Sequence, residues 1–155
     1  MKVIKLKTDR MKVEIEGSVG WMTFNQPEKR NAVSYDMWKA IPDIINEFSM
    51  DDDVRVVVMK GAGDKAFVSG ADISEFEAKR NTKDQVRIYD EATSAANIAL
   101  ITLEKPLIAM IRGFCIGGGL AIALNADIRI SCELGQFGVP AARLGVGYGY
   151  RGIKQ

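Results

Sequence analysis

Two short apolar runs constrain this chain more than anything else in it: VRVVVMKG at 54–61 and LIAMIRG at 107–113. Neither alternates polar with apolar residues. Continuous runs of this kind suit strands covered on both faces, as in parallel sheets. Around them, other segments carry helical or two-residue periodicity. KVEIEGSVGWMTFN at 12–25 alternates about Gly17-Ser18 and predicts a hairpin of Val13–Ile15 with Val19–Phe24. QPEKRNAV is turn-like, and Ser34 then opens a helix with Trp38, Ile41, Ile45 and Phe48 on one face. Pro42 is a kink position within it. A second helix is predicted through Val86, Tyr89, Ala92, Ala96 and Leu100, stopped by Pro106. DIRISCE at 127–133 reads as a third strand, and QFGVPAARLG at 136–145 as a short strand and turn. Strand and helix patterns alternate, so the expected class is α/β with a partly parallel sheet, in one domain over residues 1–155.

Composition removes several chemistries. The chain has no histidine, which excludes Ser-His-Asp and Cys-His catalysis and takes away the commonest zinc ligand. Proton transfer must use Asp, Glu, Tyr, Lys, Cys or water. Cys115 and Cys132 both stand in apolar segments and read as buried thiols, with neither a disulfide nor a metal site expected. A net charge of +1 gives no electrostatic case for nucleic acid or a membrane surface. No apolar run reaches the roughly 18–20 residues that span a bilayer. The start of the sequence lacks an apolar core of secretory type, so the expected compartment is the cytoplasm.

Three loops carry glycine. In GFCIGGGLAIALNAD, 113–127, a strand ending at Arg112 leads to a helix whose first turn is Gly118-Gly119-Leu120. First-turn N–H groups lack intrahelical partners and carry the positive end of the helix dipole. Without side chains there, a ligand oxygen can approach. Close helix packing is the alternative reading. FVSGADISEF, 67–76, repeats the arrangement, with a helix start and bare N–H groups at Ala71 and Asp72. The two loops can converge at one end of a sheet, and two N–H donors aimed at one oxygen make an oxyanion hole. The third loop, GYGYRG at 147–152, fits G-x-G-x-x-G but lacks both the preceding strand and the later acid of a dinucleotide site.

In order, VGWMTFNQPEKRNAVS, VRVVVMKGAGDKAFVSGADISEF and KPLIAMIRGFCIGGGLAIALNADIRISCELGQFGVPAARLGVGYG resemble the crotonase superfamily, the enoyl-CoA hydratase/isomerase family. The likeness runs over nearly the whole chain, as the N-terminal portion of that family. It implies a spiral of ββα repeats followed by trimerising C-terminal helices that this sequence lacks, with assembly as a homotrimer or dimer of trimers. It implies an acyl-CoA thioester as substrate, with no cofactor beyond coenzyme A as part of that substrate. The amides of Ala71 and Gly118 would hold the thioester carbonyl as it becomes an enolate. CoA contacts carry over to Arg30, Ala32, Ser69, Asp72, Ile73 and Ser74. For Arg30 and Ser74 the plain alternative is a solvated surface, and for Asp72 a helix cap.

The chain departs from the family at the chemistry. Hydratases of the family place one glutamate in GGGxE and another in FGxPE; here these positions are Ala121 and Ala141. The family's isomerases keep the second. Adding water to an enoyl thioester needs a positioned acid and base, and alanine supplies neither. Decarboxylation of a malonyl-type thioester, thioester hydrolysis and a non-catalytic acyl-CoA or RNA-binding scaffold are the alternatives to hydration. Tyr148 and Tyr150 are candidates to orient a carboxylate or protonate an enolate, and Glu75 is a further candidate acid.

Overall fold

The computed structural model describes residues 1–145 together with Gly147 and Tyr150. The predicted hairpin is present, as β2 (Met11–Glu16) against β3 (Val19–Phe24), with Ile15 opposite Gly20 and Val13 opposite Met22. A strand that the sequence reading did not foresee, β1 (Lys2–Ile4), extends the hairpin antiparallel to β2. Its three residues are too few to display a period. From β3 onward the sheet becomes parallel: β4 (Val56–Gly61), β6 (Leu107–Ile111) and β8 (Ile128–Ser131) follow in order. The uninterrupted valines of β4 are explained by this placement. Val57 and Met59 are fully buried and Val58 nearly so.

After each of these three parallel strands the chain crosses into a second sheet. This sheet contains β5 (Ala66–Val68), β7 (Phe114–Ile116) and β9 (Gln136–Gly138), all parallel. The chain therefore winds as a spiral of strand pairs. Here the sequence reading needs correction, because LIAMIRG does not lead directly into the glycine helix. The three-residue β7 intervenes, on the other sheet. Gly113 makes that corner with φ 63°, and a Cβ there would lie 2.0 Å from the Lys65 carbonyl oxygen. Only glycine fits such an approach.

Two long helices pack against each other, and both contribute to the core. Helix α1 (Tyr35–Met50) begins at Ser34, whose Oγ accepts from the Met37 amide at 3.4 Å, and it runs on through Pro42. Trp38, Ile41, Ile45 and Phe48 are all buried, as the periodicity requires. A short helix, α2 (Phe76–Lys79), precedes α3 (Lys83–Thr102), which buries Tyr89, Ala96 and Leu100 against α1. Helix α4 (Gly118–Leu124) follows β7. The core is the layer between α1, α3 and the inner residues of β2, β3, β4 and β6.

The two cysteines differ, which corrects the expectation that both are buried. Cys115 on β7 is fully buried, and burial pushes its thiol up to about 12. Cys132 is exposed, and a backbone hydrogen bond from Gly113 is the main influence holding its thiol below the usual range. It follows β8, an edge strand whose four residues are all exposed despite their apolar alternation.

Candidate active site

The loop between β3 and α1 folds first as a single 3-10 turn, Pro27–Lys29. Arg30 and Asn31 then adopt positive φ of 52° and 56°. Asparagine tolerates this region better than most residues, and here its side chain fixes the loop. Asn31 is fully buried; its Oδ1 accepts from the Gln26 amide at 3.0 Å, and its Nδ2 donates to the carbonyls of Ala62 at 3.0 Å and Ala66 at 2.8 Å. The loop is thereby pinned to the entry of β5. Nothing in the sequence reading singled out Asn31. The available signal was a left-handed-tolerant residue at the end of a turn before a helix cap.

Past β5 the segment Ser69–Asp72 lies along this loop. The Ser69 amide donates to the Arg30 carbonyl at 3.1 Å, the Val33 amide to the Gly70 carbonyl at 2.8 Å, and the Asp72 amide to the Val33 carbonyl at 2.9 Å. Val33 and Ala71 thus form one parallel bridge. In such a bridge the bonds to Val33 come from the residues flanking Ala71, so the N–H of Ala71 itself faces away from Val33. It faces Gly118: a Cβ built on Gly118 would stand 3.7 Å from the Ala71 nitrogen and 3.6 Å from Cζ2 of Trp38. Among the described residues no acceptor is bonded to the amide of Ala71 or of Gly118.

The three glycines 117–119 have three separate reasons. Gly117 caps α4 with φ 54° and ψ −117°, a conformation open to glycine. Gly119 packs so tightly on β5 that a Cβ would fall 2.1 Å from the Val68 carbonyl oxygen. Gly118, unlike Gly119, has room for a methyl, and that room is the space beside the Ala71 amide. The close-packing reading is therefore right for Gly119, and the open-approach reading fits Gly118. Two adjacent, unbonded N–H groups, one at a helix N-terminus, can together hold an oxygen that is gaining negative charge.

The enoyl-CoA hydratase/isomerase family model matches residues 14–153. The chain belongs to this family. It is 39% identical over 143 residues to a short-chain-enoyl-CoA hydratase of Clostridium acetobutylicum, covering 92% of this chain and 54% of that protein. It is 31% identical over 149 residues to the mitochondrial 3-hydroxyisobutyryl-CoA hydrolase of Rattus norvegicus, covering 93% and 39%. The crystal structure of an enoyl-CoA hydratase/carnithine racemase from Magnetospirillum magneticum superposes with a TM-score of 0.91 at 36% identity, covering 96% of this chain and 55% of that one. The chain spans about half the length of such relatives, and its α/β spiral is the crotonase fold.

Of the residues that the family resemblance assigns to CoA, most meet on one seam of this hydratase/isomerase fold. Arg30 is exposed, its guanidinium 4.9 Å from the Phe114 ring centroid. The Ser69 hydroxyl donates to the Lys29 carbonyl at 3.3 Å, and Ala32 is buried beneath the loop. Asp72 is 4% exposed, with Lys29 Nζ at 2.7 Å and the Ser74 hydroxyl at 2.5 Å on its two oxygens. Its carboxylate also accepts from the Ser74 amide at 3.2 Å, capping the 3-10 turn Ile73–Glu75. Burial opposes its charge, but the Lys29 and Ser74 hydrogen bonds outweigh burial and hold the carboxyl below the usual range. Ile73 is 62% exposed beside the seam.

The candidate acids fare differently. Glu75 is neither a free acid nor a solvated side chain: Arg10 Nη1 donates to one oxygen at 3.1 Å and the Tyr35 amide, at the start of α1, to the other at 2.8 Å. Ala121 stands one turn into α4 from Gly118, its amide bonded to the Gly117 carbonyl at 3.1 Å. Ala141 opens the 3-10 turn after β9, whose Gly138 carbonyl accepts from the Gly117 amide at 2.8 Å. Ala121 and Ala141 offer only methyl groups. Tyr148, like most of the GYGYRG loop, lies outside the described residues, and Tyr150 is 77% exposed. Among the described residues no group of three or more His, Cys, Asp or Glu could hold a metal ion, and no helix is long and apolar enough to cross a membrane.

Proposed function

We propose that this protein acts on acyl-CoA thioesters, holding the thioester carbonyl between the amides of Ala71 and Gly118 while it becomes an enolate. The observation that carries this reading is the placement of the Gly118 backbone against the unbonded Ala71 nitrogen, with space for an atom between. The seam of Arg30, Ser69 and Ser74 beside that space is offered to the CoA portion.

Both acid/base positions being alanine, hydration is not the favoured reaction. Loss of CO₂ from a malonyl-type thioester needs no base. The bond from Cα to the carboxylate breaks, its electron pair moves onto Cα and the carbonyl oxygen, and CO₂ leaves. The amides hold the enolate until Cα takes a proton from solvent. One amide donor of this kind is worth roughly 3–4 kcal/mol in other enzymes. Thioester hydrolysis is the second reading, favoured by the 31% identity to a 3-hydroxyisobutyryl-CoA hydrolase.

The test compares crotonyl-CoA with malonyl-type CoA esters, in the protein and in Gly118→Ala. The new methyl meets only ordinary van der Waals distances, so the fold is kept, but it stands beside the Ala71 amide. Turnover of the malonyl-type ester should fall about 100-fold or more in the variant. Crotonyl-CoA hydration at ordinary enzymatic rates would overturn the reading of Ala121 and Ala141. CoA-ester binding without turnover of any thioester would identify a non-catalytic scaffold instead.

A further inference from the structure

The Trp38 indole, whose Cζ2 would meet a Cβ on Gly118 at 3.6 Å, is held by a second aromatic residue. Its Nε1–H donates to the Tyr89 hydroxyl oxygen at 3.1 Å, and both side chains are 3% exposed. The Tyr89 ring is itself fixed by Tyr35 at 5.9 Å, by Phe76 edge-on at 6.1 Å and by the Arg80 guanidinium 4.9 Å from its centroid. Nε1 and Cζ2 of an indole are bonded to the same carbon. The Tyr89 hydroxyl therefore sits at the same edge of Trp38 that meets the Gly118 position at 3.6 Å.

A tyrosine hydroxyl has one proton to donate as well as lone pairs to accept with. Trp38 occupies the acceptor side. Among the described residues nothing takes the Tyr89 proton. An unused donor in a buried site is costly, and this one bonds the indole whose Cζ2 stands 3.6 Å from a Cβ built on Gly118. We propose that Tyr89 donates its hydroxyl proton as a hydrogen bond to an oxygen on the acyl group, so that the protein selects thioesters with a carboxylate or hydroxyl near the carbonyl over plain alkyl thioesters. This rests on the Ala71–Gly118 reading and deepens it. With both glutamate positions alanine, α3 supplies a polar group that α4 and the turn after β9 do not. Burial keeps the hydroxyl protonated beyond its ordinary range, the state a donor requires.

Tyr89→Phe deletes the donor, and with it the acceptor of the Trp38 Nε1–H, and keeps the ring with its packing, so the variant should fold. Calorimetric binding of 3-hydroxybutyryl-CoA and of butyryl-CoA reads the effect. The wild type should favour the hydroxylated ester by about tenfold, within the range of one hydrogen bond. Tyr89→Phe should abolish that preference, with the loss of affinity falling mainly on the hydroxylated ester. A wild type that binds both esters equally, or a variant that keeps the preference, overturns this inference alone. A wild type that binds neither ester overturns the Ala71–Gly118 reading as well. A purely structural Tyr89 would lower the melting temperature without moving the ratio.

Discussion

The two halves of the candidate site present the same kind of group by different means. Ala71 is held by side chains: Asn31 pins the neighbouring loop to β5, and Lys29, Asp72 and Ser74 tie down the turn that follows. Gly118 is held by the absence of side chains, with Gly117 making the turn and Gly119 pressed on the Val68 carbonyl. A polar network fixes position through directional bonds that can be lost one at a time. Backbone-on-backbone packing has no slack, because protein interiors are close-packed and neither partner can rotate away. The glycine half should therefore break abruptly and the polar half by degrees.

The largest effect is expected from Gly119→Ala. Its methyl would lie 2.1 Å from the Val68 oxygen and 2.8 Å from the Val68 carbonyl carbon, both main-chain atoms. α4 would have to lift from β5, at about 4 kcal/mol or more. Urea unfolding followed by circular dichroism measures this. A loss below about 1 kcal/mol would show that the contact relaxes freely and would remove the contrast with the polar half.

Asn31→Ala comes next. It deletes three hydrogen bonds at a fully buried site, leaving the Gln26 amide and the Ala62 and Ala66 carbonyls to find other partners, and it puts alanine at φ 56°. The expected loss is about 3 kcal/mol, because buried groups left unpaired cost their full desolvation. Asn31→Asp sharpens the point. It keeps the acceptor for Gln26 and turns the donor facing two carbonyls into a second acceptor, so it should be no better than alanine in the same assay.

What was legible in the sequence follows from the length over which each pattern runs. The hairpin, α1 with its Ser34 cap, the buried face of α3 and the parallel strands β4 and β6 all extend over enough residues to show a period. β1, β5, β7 and β9 have three residues each, so the second sheet could not be read as a sheet. The family likeness brought Ala71 and Gly118 forward, but why the Ala71 amide is turned outward depends on a bridge to Val33, far away in sequence. Asn31 escaped notice for the same reason, since its partners at Ala62 and Ala66 are brought to it only by the fold. Cys132 stands in an apolar segment, but that segment follows the edge strand β8, whose residues are all exposed.

The smallest effect is also the one that shows whether the polar half is electrostatic. The Asp72 carboxyl titrates lower in the fold than in the unfolded chain, because Lys29 and Ser74 favour its charged form more strongly than burial disfavours it. The unfolded state therefore takes up the proton first as pH falls. The stabilisation is complete above the ordinary aspartate value of about 4 and is lost as pH drops through the lower folded value. Asp72→Asn removes the titration while retaining an oxygen for the Ser74 amide. At pH 7 the variant should be roughly 2 kcal/mol less stable, the scale of hydrogen bonds to a charged group. Urea titrations repeated at decreasing pH should show the gap between wild type and variant closing only below about pH 4. A gap independent of pH would mean that shape and capping hold the Ala71 turn, and that charge has no part in it.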